Sequence, residues 1–395
     1  NSKQLIDRFL AVPHFIYAND PHWVCPLNMD IENIFSPEKN ELFNNGEAKR
    51  WVLVDSSQNK DVGRIAAFFN WTKARKFEVP VGGAGFFECI NDQEAANLLF
   101  DTAKTWLNTK GIQAMDAPVN FGENDRFWGC LTEGYMHPGY GMPYNLPYYG
   151  ELFTKYGFQL YFEQHSRHLD ISKPLPERFF KIYEWVKSRP GVHFESLDRS
   201  KLDQYAKDFV EIYNDGWKFH EHFTPLTMEA IQKLIKQLDM VLIEEMICFA
   251  YVDKEPAGFL LCLPDLNQIF KPMKGKMGIW ETIKFLWRRR NQFAWYRENG
   301  ILNRGRVTIM GVKPKFQKYG LESGMIMFPM EKVRGLGFRE IELSWVGDFN
   351  PKMQRLHEAT GSVYAKRHAT FRLMFDPSAE FKPYSSIPMN TRDQE

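Results

Sequence analysis

The 395-residue sequence contains little cysteine, and its cysteines follow no regular spacing. Cys25, Cys89, Cys130, Cys248 and Cys262 are scattered, odd in number and without a C-x-x-C pair. This pattern argues against a disulfide framework and against a structural zinc site. We therefore predict no metal centre, and a reducing cytoplasm is the compartment that fits best.

Long apolar runs and an excess of charge of one sign are also lacking. No stretch is long enough to span a bilayer, and the first residues do not have the layout of a signal peptide. The sequence has 50 Lys+Arg and 49 Asp+Glu residues, which give a net charge of +1. No global field therefore favours a membrane, and nucleic acid is not expected as a partner.

One structural pattern occurs twice in the sequence. A crossover from strand through helix to strand is predicted at 82–119 and again at 307–346, and such a crossover joins parallel strands by a right-handed path. A Pro-containing stretch, Ser172–Pro176, lies between them. We predict an α/β fold with two mixed-sheet domains in tandem, 1–175 with an N-terminal extension and 176–395.

The order of elements from Val192 to Phe375 resembles the acyl-CoA-binding core of the GNAT acyltransferase superfamily. Four longer motifs resemble a bacterial tandem-GNAT family more narrowly: Gly85–Asn97, Pro118–Asp125, Pro143–Tyr149 and Glu342–Trp345. The resemblance covers most of the chain and implies two GNAT-like domains, of which the first is degenerate. It constrains the fold more closely than the substrate.

The resemblance implies a cofactor loop in the second half. GNAT enzymes bind the pyrophosphate of acyl-CoA through backbone N–H groups in the pattern Gln/Arg-x-x-Gly-x-Gly/Ala. Gln317, Lys318 and Gly320 match that pattern, whereas Glu322 occupies its last position, where a carboxylate repels phosphate unless it turns away. The residues implied to bind acetyl-CoA or another acyl-CoA are Val312, Gln317, Lys318, Tyr319, Gly320, Leu321 and Asn350.

Two features modify this expectation. Pro329 lies inside the predicted helix that follows the loop, and it should kink that helix because it removes a backbone hydrogen bond. The first half has no glycine in the corresponding stretch Ile90–Glu94. We therefore expect no cofactor site in the first half, and a surface turn preserved for packing is the alternative for the loop in the second half.

The catalytic candidates are Glu342, His357 and Tyr364. GNAT enzymes often carry a Tyr acid in the helix after the last parallel strand, and here His357 is found near that position. A solvent-facing histidine is the simpler interpretation of His357, and core packing is the simpler interpretation of Tyr364. Glu342 alternates with apolar residues along a strand and is expected to line the cleft.

The acceptor site is predicted from two loops. The resemblance implies that the loop at 214–225 shapes it, and a metal is not expected at its His-Glu-His sequence because neighbouring side chains point to different faces. Polar and aromatic residues on the loops of the first half complete the set, which could equally be a self-satisfying turn scaffold. The substrate-binding candidates are Asn120, Asn124, Asp125, Asn145, Tyr149, Trp217, His220 and Trp345.

An insertion at 264–304 departs from a plain GNAT core. Its segment 271–297 mixes Lys and Arg with Trp and Phe, a composition that suits an anionic membrane interface, a lipid, an acyl carrier protein or RNA. Because the overall charge is balanced, a packed lid helix with a solvated basic face is favoured here. Peripheral membrane contact through 271–297 is the alternative.

The leading functional prediction is a cytoplasmic, acyl-CoA-dependent N-acyltransferase. Its acceptor would be a small-molecule amine or a peptide, bound between the two halves. One alternative is a transferase of the Fem type, which uses aminoacyl-tRNA or an acyl carrier protein as donor and also resembles doubled GNAT domains. The other is a non-enzymatic small-molecule-binding protein in which Glu322 has abolished cofactor binding.

Overall fold

The computed structural model describes residues 2–218, 225–239, 241–290 and 302–384, with only the backbone of 237 and 288–290. His220 and part of the predicted segment 271–297 lie outside the described residues. Among the helices that are described, none combines the length and the apolar character needed to cross a membrane.

The first half of the chain alternates helices with strands. Its helices are α1 (Lys3–Ile16), α2 (Asn28–Ile34), α3 (Trp71–Ala74), α4 (Gln93–Thr109) and α5 (Tyr149–Tyr156). Its strands are β1 (Gly46–Asp55), β2 (Lys60–Asn70), β3 (Val81–Cys89), β4 (Ala114–Ala117), β5 (Cys130–Glu133) and β6 (Gln159–Asp170). Helix α4 begins where the Asp92 side chain accepts a hydrogen bond from the backbone of Ala95, as expected of an N-cap.

The second half repeats this alternation. Its helices are α6 (Glu177–Lys187), α7 (Leu202–Trp217), α8 (Met228–Leu238), α9 (Asn267–Phe270), α10 (Ile279–Arg290), α11 (Leu321–Met327), α12 (Met330–Gly335) and α13 (Pro351–Ala359). Its strands are β7 (Val192–Ser196), β8 (Ile247–Val252), β9 (Glu255–Pro264), β10 (Arg304–Val312), β11 (Glu340–Gly347) and β12 (Val363–Met374). Pro329 lies between α11 and α12, so the predicted break in that helix is confirmed.

All twelve strands of the described chain form one mixed sheet. Its order is β1-β2-β3-β4-β12-β6-β11-β10-β9-β8-β7. Strand β5 lies outside this order and pairs with β12. The parallel pairs are β3 with β4 and β10 with β11, as the two predicted crossovers require. The mixed α/β sheet predicted from the sequence is therefore confirmed.

The closing strands of the two halves exchange places in this sheet. Strand β12, from the end of the chain, pairs with β4 and β5 of the first half, while β6 of the first half pairs with β11 of the second. β12 and β6 also pair with each other. The predicted boundary at 175 falls between β6 and α6 and stays a prediction, because the sheet continues through both halves.

Apolar clusters cover the sheet on both sides. One contains residues of α4 and α5 packed against the strands of the first half, together with Phe371 of β12. A second contains residues of α6, α11 and α12 on one face of the second half. A third contains α7 packed against β8 and β9 on the opposite face. Between these clusters, at the centre of the sheet, the side chains are polar.

Candidate functional site

One face of the sheet centre is lined by polar side chains that are buried or half-buried. The strand register pairs Arg306 with Glu342, Glu342 with His168, Lys366 with Ser166 and His368 with Gln164. Directly paired residues share a face of a sheet, so this set projects to one side. We call it the polar face: Arg304 and Arg306 of β10, Glu340 and Glu342 of β11, Gln164, Ser166 and His168 of β6, and Lys366 and His368 of β12.

Glu342 is the electrostatic centre of the polar face. Its Oε2 accepts hydrogen bonds from Lys366 Nζ and, at 3.2 Å, from His168 Nε2, and Arg306 Nε lies 3.7 Å from Oε1. Burial by itself would raise the pKa of Glu342, but Lys366, His168 and Arg306 outweigh burial and hold that pKa well below its usual range. The predicted cleft residue is therefore an anion that stabilises neighbouring cations, which leaves little capacity to accept a proton.

His168 is held in its charged form. Its Nδ1 lies 3.0 Å from Glu340 Oε1 and its Nε2 lies 3.2 Å from Glu342 Oε2. Burial lowers the pKa of His168, and the hydrogen bonds to the two carboxylates raise it further than burial lowers it. Because both ring nitrogens face oxygens that only accept, the ring carries both protons.

His368 is the neutral counterpart of His168. Its Nε2 lies 3.3 Å from the carbonyl oxygen of Pro143, and a carbonyl only accepts, so Nε2 carries the proton. Burial, with a contribution from Lys366, lowers the pKa of His368 to about 4. Its Nδ1 therefore has a free lone pair, and it is buried without a hydrogen-bond partner in the described chain. The ring of Trp345 meets His368 edge-on at 5.5 Å between centroids.

Residues 118–147 cover the polar face. A Cβ added to Gly139 would lie 3.2 Å from Arg306 Cδ and from Glu342 Oε1, so the backbone of Gly139 passes directly over the central ion pairs. Asn124 Oδ1 accepts a hydrogen bond from Gln164 Nε2 at 3.2 Å. This long connection forms the roof of the site, and a connection of such length inside a compact domain is usually functional.

Several buried polar atoms of the polar face and its cover have no hydrogen-bond partner in the described chain. They are His368 Nδ1, Gln164 Oε1, Ser166 Oγ, Arg306 Nε, Glu340 Oε1 and Glu342 Oε1 of the face and His137 Nε2 of the cover. Burial lowers the pKa of His137 to about 4, with help from Arg304, so its ring is also neutral. Buried polar atoms are normally satisfied, so a cluster of unpaired ones indicates water or a polar ligand at this place.

The parallel strands β10 and β11 separate at the edge of the polar face. They pair only at Arg304–Glu340, Gly305–Ile341 and Arg306–Glu342, and beyond these residues the described strands are no longer paired with each other. The Ser344 hydroxyl donates to the carbonyl of Thr308 at 3.3 Å just past the point of separation.

The predicted cofactor loop lies at the far end of β10. Gly320 adopts a left-handed conformation with φ +74°, and a Cβ there would lie 2.9 Å from Val186 of α6. Lys352 Nζ donates to Gln317 Oε1 at 2.8 Å. Burial raises the pKa of Glu322, and the positive charge of Lys352 lowers it in part. Glu322 therefore has a cation close by, which moderates the repulsion expected from its position.

The other cofactor candidates occupy defined positions around this loop. The ring of Tyr319 contacts the guanidinium of Arg189 at 4.1 Å, and the side chain of Asn350 caps α13 by accepting from the backbone of Met353. Val312 and Leu321 are buried, and Lys318 is exposed. Their binding of acyl-CoA stays a prediction.

Two catalytic candidates lie where the simpler interpretations did not put them. His357 is buried rather than solvent-facing, because α13 turns a stripe of Met353, His357 and Thr360 inward at helical spacing. Burial lowers its pKa to about 4. Tyr364 is 43% exposed rather than part of the core, and its hydroxyl donates to Glu133. A register shift between Tyr364 and Lys366 changes the alternation there.

The acceptor candidates divide into two groups. Asn124 and Trp345 contact the polar face, and Asn120 is buried with an unpaired Oδ1. By contrast, Asn145 accepts a hydrogen bond from the backbone of Leu131, which is a structural role. Asp125 is exposed beside Arg126.

Trp217 lies over β10 on the side that bears α7. A Cβ at Gly311 would lie 2.5 Å from its ring, so only glycine fits beneath it. The Trp217 ring stacks on Tyr213 at 4.8 Å between centroids. The predicted role of Trp217 in binding the acceptor stays a prediction.

In the first half, tyrosine side chains form hydrogen bonds with the backbone at the end of β3, the strand that corresponds to β10. The Tyr148 hydroxyl donates to the carbonyl of Cys89 at 2.7 Å, and the Cys89 N–H donates to the Tyr149 hydroxyl at 3.3 Å. Tyr149 also donates to the buried carboxylate of Glu88 at 2.7 Å. Cys89 ends β3, the counterpart of β10, and its backbone is therefore already bonded by side chains of the chain itself.

The sequence analysis missed most of the polar face. His168, Gln164, Lys366 and His368 were not among the candidates. In the sequence, these residues recur at every second position along β6 and β12. Polar alternation of that kind normally marks a sheet face in contact with water. Only the cover by residues 118–147 converts that face into an interior.

Comparisons with known proteins agree with this architecture. No protein-family model matches the chain. It is 28% identical over 374 residues to a bacterial ceramide synthase of Caulobacter vibrioides, covering 93% of this chain and 94% of that protein. It is 25% identical over 380 residues to protein YghO of Escherichia coli, covering 94% of this chain and 93% of that protein.

A solved structure is similar to this chain over nearly its whole length. A tandem GNAT protein from the clavulanic acid biosynthesis pathway superposes with a TM-score of 0.54 at 13% identity, covering 96% of this chain and 97% of that one. At this identity the likeness concerns the fold. Both halves of the chain are included in it, as the four sequence motifs predicted. The chain therefore has the tandem GNAT fold.

Proposed function

We propose that this protein is an N-acyltransferase that moves an acyl group from acyl-CoA to an amine bound at the polar face. One observation carries the proposal: β10 and β11 separate next to a covered cluster of unpaired polar atoms. A thioester between the strands would thus meet an acceptor held by those atoms. Reaction between two bound partners depends above all on such juxtaposition.

The donor would enter from the loop at 313–320. Lys318 and Lys352 supply positive charge for the phosphates of CoA, and Gly320 permits the turn at the end of the loop. Glu322 has Lys352 as a neighbouring cation, so its charge is not left to act on the phosphates alone. The first half would hold no donor, since Tyr148 and Tyr149 already bond the backbone of Cys89.

The acceptor nitrogen would bind near His368. The Nδ1 of this neutral ring accepts a hydrogen bond from the amine and orients its lone pair toward the thioester. The nitrogen attacks the carbonyl carbon, the C–N bond forms and the C–S bond breaks. The CoA thiolate leaves and takes up a proton, while the surplus proton of the amine passes to His368 or to water.

A long-chain amine is the acceptor class that we propose. A relative at 28% identity is named a bacterial ceramide synthase, and a ceramide is the fatty amide of a long-chain amino alcohol. An apolar cavity of about 60 Å³ lies between α7, α8 and the sheet, lined by residues such as Ala206, Phe209 and Leu234. A cavity of that volume holds roughly four to six water-sized groups, enough for several methylenes.

The test combines binding with product analysis. Calorimetry would compare acetyl-CoA with palmitoyl-CoA, and mass spectrometry would detect the amide formed from palmitoyl-CoA and sphinganine. We expect palmitoyl-CoA to bind and the amide to form. His368→Gln should lower kcat by roughly 10²-fold while donor binding is retained, since the glutamine amide can accept the amine hydrogen bond but cannot take up the amine proton. The matched control is His193→Gln, which changes an exposed histidine of β7.

Two results would contradict the proposal. One is the absence of acyl-CoA binding by both the natural protein and Glu322→Gly. The other is a His368→Gln variant with the kcat of the natural protein. Amide formation from aminoacyl-tRNA without any acyl-CoA turnover would instead support a transferase of the Fem type.

A further inference from the structure

Helix α10 exposes a set of large apolar side chains. The exposed fractions are 79% for Ile279, 73% for Trp280, 50% for Ile283, 43% for Leu286 and 64% for Trp287. At 3.6 residues per turn these five positions fall within about 120° of the helix circumference. They form a continuous apolar stripe, which we call the α10 stripe. The lid helix with a solvated basic face that the sequence favoured stays a prediction, and the described part of the helix exposes these apolar side chains as well.

The other side of α10 is anchored in the protein. Phe285 is 3% exposed, and its ring stacks on Phe270 of α9 at 5.9 Å between centroids. Phe270 in turn meets the ring of Tyr140 at 5.7 Å, and Asn267 of α9 donates to the carbonyl of Pro138. The helix is thus attached through α9 to residues 118–147, the segment that covers the polar face.

The charge around the stripe is strongly positive. Residues 271–290 contain one acidic residue, Glu281, whereas the whole chain has a net charge of +1. The basic residues of that segment are Lys271, Lys274, Lys276, Lys284, Arg288, Arg289 and Arg290. An apolar stripe with Trp at its edge and basic residues around it matches the interface of an anionic bilayer, where Trp is enriched and Lys/Arg meet lipid phosphates.

We propose that α10 is a membrane-docking helix that lays the α10 stripe into the headgroup region of an anionic lipid bilayer. This inference rests on the proposed function in one respect: a long-chain amine and a long-chain acyl-CoA both partition into such a surface. The contacts from Phe285 through Phe270 to Tyr140 then place the cover of the polar face next to the docked helix. Nucleic acid is the less suitable partner, because five exposed apolar side chains offer nothing to phosphates.

The experiment measures binding to vesicles. The full chain would be floated with phosphatidylcholine vesicles, with and without phosphatidylglycerol, at low and high salt. We expect binding to the anionic vesicles, weakened by salt, and a loss of roughly tenfold or more in the variant Trp280→Ala/Trp287→Ala. The matched control is Trp185→Ala, which removes a tryptophan of α6 that is 53% exposed. Thermal unfolding curves establish that each variant is folded.

The outcomes separate this inference from the proposed function. Failure of the natural protein to bind anionic vesicles, or equal binding by the Trp280/Trp287 variant, overturns the docking helix whatever the enzyme does. RNA binding in place of vesicle binding overturns it as well. Acyl transfer from palmitoyl-CoA to sphinganine is measured in parallel without vesicles. Vesicle binding without any acyl transfer would leave α10 as proposed and contradict the enzymatic function.

Discussion

At the scale of single residues, the polar face depends on how opposite charges are paired. Lys366 and Glu342 are each 1% exposed, and a buried charge without a partner costs several kcal/mol. The Glu342 carboxylate has His168 and Arg306 nearby as well as Lys366. The centre of the sheet is therefore held in one arrangement of charges, and the neutral His368 lies beside it.

His168 links the stability of the fold to pH. Its pKa is raised above the usual 6.5 by Glu340 and Glu342 despite burial, so the folded state binds its proton more tightly than the unfolded state does. The stabilisation is fully present below about pH 6.5 and is lost as the pH rises through the folded pKa. We expect the free energy of unfolding in urea to fall over that window, and to fall less steeply in His168→Gln. Identical slopes for the two proteins would contradict this assignment.

At the scale of elements, α7 and α8 form one wall of an apolar cavity, where the proposed long-chain acceptor would bind. The cavity between these helices and the sheet is lined only by apolar and aromatic side chains. Each methylene removed from water contributes about 0.8 kcal/mol, which is about fourfold in affinity. A small change of volume in this wall should therefore alter the preference for chain length.

Ala206→Leu tests this role of the wall. Ala206 is buried on α7 and lines the cavity, so the added carbons occupy space that the substrate chain would use. We expect KM for a long-chain amine to rise several-fold while KM for a short-chain amine stays as it was. The control Ala230→Leu makes the same substitution at an exposed position of α8. A uniform change for all chain lengths in Ala206→Leu would point to a general packing defect instead.

At the scale of the whole molecule, the exchange of closing strands joins the halves. Without β12, strands β4, β5 and β6 of the first half would each lose a partner, and the core around Phe153 would lose Phe371, which stacks on it at 5.4 Å. Without β6, strand β11 would in turn become an edge. Unpaired strand edges expose backbone groups and promote aggregation.

Separate expression of the two halves tests this coupling. Residues 1–175 and 176–395 are each expected to be aggregated or loosely packed alone, and to form a folded one-to-one complex when produced together. Size-exclusion chromatography and near-UV circular dichroism distinguish these states. Cooperative thermal unfolding of either half by itself would show that the exchanged strand is dispensable.

The crossovers and the break at Pro329 were predictable because their signals are local. Apolar alternation, capping residues and glycine turns specify an element wherever it lies in the fold. No local signal specifies which strand β12 pairs with. The sequence pattern of β12 would be the same beside β4 as beside a strand of its own half. Local patterns fix which face of a strand is apolar, and tertiary packing selects its neighbour.

The sequence by itself determined the tandem order of the two halves and the break at Pro329, while the binding of a cofactor at the loop with Glu322 stays a prediction. Only the tertiary structure decided the polar face, the burial of His357 and the apolar exposure of α10. The physical reason is that burial is a property of what lies on top of a residue, which the residue's own stretch of sequence does not specify. For the polar face, the covering residues 118–147 lie far along the chain from β10, β11 and β12.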